Sequence, residues 1–187
     1  MTVTIAAIAG SLRRGSYNRA LLRAAACDLP PDLELTIWDG LEQVPPFSED
    51  AEAGPAPAAV AGLRQMIAGA GGLLIATPEY NGSIPGQLKN ALDWASRPRG
   101  AAVLQGKPTA VISASPSPRG AAWALADLRK VLTVAGAGLI SSDLAVPQAH
   151  TQFTAGGRLA DPHLNNRLTQ VISELAQLTA ALTAAAA

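Results

Sequence analysis

Five times along this chain a short apolar-rich run gives way to a longer stretch in which apolar residues recur at helical spacing. The runs are Val3-Thr4-Ile5-Ala6-Ala7-Ile8-Ala9, Leu33-Glu34-Leu35-Thr36-Ile37-Trp38, Gly72-Leu73-Leu74-Ile75-Ala76-Thr77, Lys107 to Ala114, and a run opening at Gly138-Leu139-Ile140 and predicted to reach Val146. Each is short and bounded by turn residues, so each is predicted as a strand. The second alternates apolar and polar residues, which places it at a sheet margin. Helices are predicted over Arg19–Asp28, Ala58–Ala70, Gln87–Trp94, Ala121–Ala135 and Asp161–Thr183. This alternation is the pattern of an α/β, doubly wound, five-stranded parallel sheet with helices on both faces. Its commonest strand order is 2-1-3-4-5.

The 187 residues suit one domain, residues 1–187, without a composition break or repeats. At that size roughly 70% of the unfolded surface can be buried. Half the residues are apolar and 15% charged, which excludes a disordered chain. A formal net charge of zero argues against nucleic acid or an anionic membrane as partner. No apolar stretch is long enough to span a bilayer, and Met1-Thr2-Val3-Thr4-Ile5 lacks the charged start of a leader, so a cytoplasmic protein is expected. Cys27 lies in an apolar helical run and is expected in the core; with one cysteine and two isolated histidines, His150 and His163, no metal site is expected. Gly40–Pro57, rich in proline, glycine and acid, reads as an exposed connection. The Ala-rich tail is expected to fray.

In a doubly wound sheet, ligands sit where the winding reverses, between the loops after strands one and three. Those two loops are the most unusual stretches of the chain. The first is Gly10-Ser11-Leu12-Arg13-Arg14-Gly15-Ser16-Tyr17-Asn18. Ser11, Ser16 and Asn18 offer side-chain donors, Arg13 and Arg14 bring positive charge, and the loop runs into a helix N-terminus, which favours a phosphate. Ser16 is the natural N-cap. Neither Gly-x-x-x-x-Gly-Lys-Ser/Thr nor Gly-x-Gly-x-x-Gly is present, so a monophosphate fits better than a nucleoside triphosphate or a dinucleotide. The second loop is Thr77-Pro78-Glu79-Tyr80-Asn81-Gly82-Ser83-Ile84-Pro85-Gly86, whose aromatic, amide, glycine and proline content suits a flat ring with polar edges. Phosphate cradle and ring border together describe a flavin mononucleotide site.

With these two stretches and Leu88-Lys89-Asn90-Ala91-Leu92-Asp93-Trp94, the chain resembles the NADPH-dependent FMN reductase family, the flavodoxin-like quinone, chromate and azo-dye reductases. The resemblance spans nearly the whole chain. It implies that Ser11, Arg13, Ser16, Tyr17 and Asn18 hold the phosphate and ribityl chain. Pro78, Glu79, Tyr80, Asn81 and Gly82 would border the isoalloxazine, and Ser115 would make a third contact after strand four. The family's Gly-Gly pair before the next helix is Gly120-Ala121 here, after Pro116 and Pro118, so the third loop departs from pattern.

The resemblance further implies FMN, with NADPH or NADH, electrons passing to a flavin, quinone, azo compound or metal oxyanion by ping-pong kinetics, and a homodimer or homotetramer. The low charge of the Pro85–Trp94 helix suits packing on a partner. Glu79 is expected to bond across a subunit boundary, Trp94 to lie in the core or along the flavin rim, and no catalytic side chain is required. Two other readings of the same residues stand beside this one: a flavodoxin-type electron carrier, and a flavin-free binding domain on the same fold.

Overall fold

A computed structural model describes residues 2–27 and 29–186. The predicted end of the first helix, Asp28, lies outside them. Strands β1 (Val3–Ala9), β2 (Leu33–Trp38), β3 (Gly72–Thr77), β4 (Pro108–Ala114) and β5 (Gly138–Val146) form one sheet in the order β2-β1-β3-β4-β5. Every pairing is parallel; Ile5 faces both Leu35 and Gly72, which sets the register at the centre. The helices are α1 (Tyr17–Ala26), α2 (Glu49–Glu52), α3 (Ala58–Gly69), α4 (Gly86–Ala95), α5 (Ala122–Val134) and α6 (Pro162–Ala186).

The strand period of two divides the core. Ile5, Ala7 and Ala9 of β1 and Leu74 and Ala76 of β3 meet α1 and α6 on one face. Ala6, Ile8, Leu73 and Ile75 meet α3, α4 and α5 on the other. β3 and β4 are buried along their whole length, as expected for strands covered on both faces. No helix among the described residues is long and apolar enough to cross a membrane.

Three expectations change. Cys27 is exposed, because it stands just past the last turn of α1 and not on its buried face. The tail stays helical through Ala186. The Gly40–Pro57 connection is only half a surface loop. Leu41 and Val44 are buried, with a 3-10 turn at Leu41–Gln43 and α2 further on. The carbonyls of its middle are taken by α4. Gln87 Nε2 donates to Leu41 O at 2.7 Å and Val44 O at 2.9 Å; Asn90 Nδ2 and Trp94 Nε1 donate to Pro45 O at 2.9 and 2.8 Å. Phe47 N donates to Asn90 Oδ1 at 2.7 Å. Leu88, Ala91, Leu92 and Trp94 meanwhile fill the core, so the apolar side of α4 is used within the chain. Trp94 is fully buried and cannot line a rim.

Candidate functional site

The carboxyl ends of β1, β3 and β4 bring three loops together where the strand order reverses. The β1 and β3 loops touch directly. Gly10 N donates to Ala76 O at 2.8 Å, and a Cβ on Gly10 would stand 2.8 Å from Leu88 Cδ2 and 3.3 Å from Pro78 Cδ. A side chain there would press on Leu88 of α4 and on Pro78 of the β3 loop. Pro78 is correspondingly buried.

Within the first loop, Ser16 is the N-cap of α1 and accepts from Arg19 N at 3.2 Å. Helix geometry leaves the amides of Tyr17 and Asn18 without intrahelical acceptors. Ser11, in the same loop, is partly buried, and its hydroxyl accepts only a long bond from Arg13 N at 3.4 Å. Arg13 donates to Gly15 O at 2.7 Å and lies 5.1 Å over the Tyr17 ring, which in turn stacks on Phe153 at 6.4 Å. Asn18 departs from expectation. It is 2% exposed, and its side chain donates to Ala114 O at 3.0 Å and accepts from Ala114 N at 2.9 Å. Its side chain therefore ties α1 to the end of β4, leaving its main-chain amide as what it can offer an anion.

The second loop turns at Tyr80-Asn81-Gly82-Ser83. Asn81 (φ 53°) and Gly82 (φ 79°) are both left-handed, and Tyr80 and Ser83 exchange backbone hydrogen bonds of 3.0 and 3.2 Å, a type I′ turn. The turn lifts Tyr80, 52% exposed, and Asn81 into solvent. Glu79, expected at a subunit boundary, is engaged within its own chain. Its Oε2 accepts from Trp123 N at 3.0 Å and Ala124 N at 3.1 Å, capping α5, whose own N-cap residue, Ala121, has no side-chain acceptor. Ser83 Oγ donates to Asp127 of the same helix; the Lys130 ammonium first, and the Ser83 hydroxyl second, hold that carboxyl below its usual value. Trp123, 58% exposed, lies against the turn beside Gly82 and under Arg119 at 4.6 Å.

The third loop carries Ser115, whose Oγ accepts from Ser117 N at 3.2 Å. Gly120 (φ 61°) and Ala121 (φ 66°) are both left-handed. Ser113 Oγ holds Gly120 O at 2.7 Å.

Sequence reasoning missed Phe153, Ser113 and the Asp127 partner of Ser83, none of which carries a local signal. The Asn81-Gly82 dipeptide, by contrast, is the strongest short-range sign of the turn that displays Tyr80. Free helix-start amides, a half-free serine, an arginine and a rim of Tyr80 and Asn81 make a donor set that fits a phosphorylated flat ring.

Residues 3–151 match the NADPH-dependent FMN reductase family. The chain belongs to it. An NAD(P)H-dependent FMN reductase of Pseudomonas aeruginosa is 38% identical over 174 residues, covering 92% of this chain and 93% of its own. A 2-hydroxy-1,4-benzoquinone reductase of a Burkholderia species is 47% identical over 131 residues, 70% of each chain. Among solved structures, FerB, a flavoenzyme NAD(P)H:(acceptor) oxidoreductase of Paracoccus denitrificans, superposes with a TM-score of 0.83 at 34% identity, over 95% of this chain and 97% of its own. In this FMN reductase chain the third loop keeps two consecutive left-handed positions although the second is alanine, at a strain of roughly 1 kcal/mol.

Proposed function

We propose that this chain is an FMN-dependent NAD(P)H oxidoreductase that passes electrons to a quinone or a flavin, acting as one cytoplasmic domain. The observation that carries the reading is the contact of the β1 and β3 loops at Gly10 and Pro78, with the β1 loop running on into the unpartnered amides at the start of α1. When bound, FMN supplies the two-electron chemistry between the nicotinamide and the acceptor.

The chain's own residues bind and orient. Ser11, Arg13 and the main-chain amides of Tyr17 and Asn18 hold the phosphate, with Ser16 fixing the helix start that aims them. Pro78, Tyr80, Asn81 and Gly82 border the ring, Ser115 closes the third side, and Glu79 locks the ring loop to α5. No side chain is asked to move a proton. The two substrates take turns at the flavin, and a quinone is favoured as acceptor because relatives of this chain are quinone reductases. The exposed Tyr80 and Trp123, neighbours at the β3 turn, offer the apolar surface on which a homodimer or homotetramer would pack.

The test is FMN titration followed by steady-state assays. The protein is expected to bind FMN, bleach rapidly with NAD(P)H alone and give parallel double-reciprocal lines against a quinone. Arg13→Ala should weaken FMN binding about tenfold, the loss of one charge-assisted hydrogen bond. A bound flavin that NAD(P)H fails to bleach would make it a carrier, and a chain that never takes up FMN a binding domain of another kind.

A further inference from the structure

We propose that a cavity between α1 and α6, at the end of the sheet opposite the flavin loops, binds a small organic cation, a protonated amine carried on an apolar body.

The cavity has a volume of about 360 Å³, within the range of small-molecule sites. Val3 and Leu33, at the starts of β1 and β2, form its sheet side, and Leu168 and Ile172 of α6 line it from the helix layer. Leu33, Leu168 and Ile172 belong to the buried core, so the hollow reaches down to it. Its walls on α1 are Ala24 and Ala25, whose single methyl groups leave open the space that a larger residue would fill. The phosphate loop lies at the other end of the ten-residue α1, about 15 Å away at 1.5 Å per residue. The two sites are separate.

Charge decides what the occupant is. Among the described residues Asp32 is the one charged group in the lining, with no lysine, arginine or histidine beside it. Its carboxylate has no ion-pair or hydrogen-bond partner among those residues. The last turn of α1 brings the negative end of a helix to the same place, through Ala24 and Ala25. Arg23, the basic residue of that turn, lines a different hollow, with Trp38 and Asp39. Along α6, Asn165, Thr169, Ser173 and Gln177 recur at every fourth position and so share one side of the helix. Their amides and hydroxyls are neutral and can accept from an ammonium. An apolar floor beneath two sources of negative potential disfavours an anion. An apolar body fills the floor, and a protonated amine on it answers the rim.

The test is calorimetric titration with naphthylmethylammonium at neutral pH, beside its neutral and anionic counterparts, naphthylmethanol and naphthylacetate, each with and without FMN. The ammonium is expected to bind at least about fivefold more tightly than the alcohol, a modest factor because Asp32 is exposed to water, and the carboxylate more weakly still. Asp32→Asn should cut that preference about threefold and leave the alcohol unchanged. Ser173→Trp, an exposed position whose indole would cover the mouth, should abolish binding of all three with the thermal midpoint preserved. Alcohol or carboxylate binding as tightly as the ammonium overturns the proposal, as does a preference undiminished by Asp32→Asn or binding that survives Ser173→Trp. Competition between the ammonium and FMN would place the probe in the flavin cleft and overturns it too. So does a dimer of the wild-type chain that Ser173→Trp dissociates, which would make the groove an interface between copies. No arm requires turnover or bound FMN, so failure of the reductase reading shows separately, in the FMN titration.

Discussion

Asn18 sits in the first turn of α1 with its side-chain amide both donating to and accepting from the backbone of Ala114, the last residue of β4. Both atoms of Ala114 are out of reach of water at that depth. Truncation strands a donor and an acceptor together, at about 1–3 kcal/mol for a group left unsatisfied. Asn18→Ala is therefore expected to cost about 2–4 kcal/mol in urea denaturation, and Asn18→Asp should not restore it, because a carboxylate cannot donate to Ala114 O. The residue type was legible as important from its place before a helix; its partner was not, since 96 positions separate the two. Gly120 is a second such position. A Cβ there would lie 2.8 Å from Val146 C and 2.9 Å from Pro147 N, both main chain, at φ 61°. Gly120→Ala is expected to destabilise by at least about 2 kcal/mol, since the backbone must move as well as strain.

At the level of elements, α5 starts from a residue without a capping side chain, and the β3 loop supplies the cap through Glu79. A carboxylate there meets two free amides and the positive end of the helix. Glu79→Gln keeps an oxygen but removes the charge, and is expected to lose about 1 kcal/mol, a lowering of the midpoint by about 2–4 °C in a thermal melt. The same bond explains what could be read from sequence and what could not. All five strands were legible to within a residue, because the buried parallel strands are apolar runs flanked by turn residues and the edge strand β2 alternates apolar and polar residues. The two ligand loops were legible as loops, because glycine and proline mark them. That Glu79 would turn inward was not legible, since the acceptor's partners are main-chain amides that every residue carries. The strap from Leu41 to Phe47 escaped for the same reason; its bonds are carbonyls of Val44 and Pro45, and only the apolar pair Leu41 and Val44 hinted that the segment was not free.

Across the whole molecule, the long helix α6 is fastened to the edge strand β5 by Glu174. Hydrogen bonds from Ser142 first, then from the hydroxyl and amide of Ser141, bring its carboxyl down from 4.5 to about 2. A carboxyl whose folded value is depressed contributes stability that is present above its unfolded value and is lost as pH falls through the folded one. The contribution should thus be complete above about pH 5 and fade toward pH 2. Comparing the native chain with Glu174→Gln by denaturant titration should show the largest gap near neutrality and a closing gap in acid. A gap independent of pH would mean that the bond adds nothing through its charge. The strap between β2 and α3 bears on how the chain can be re-engineered. Its first half is stitched to α4 by side-chain amides and an indole, whereas Ala53–Ala56 lie exposed, beyond the last of those stitches. A peptide graft, affinity tag or new chain terminus would be accommodated between Ala53 and Ala56; the same splice at Val44–Phe47 would strip α4 of its acceptors and loosen the scaffold under the β3 loop.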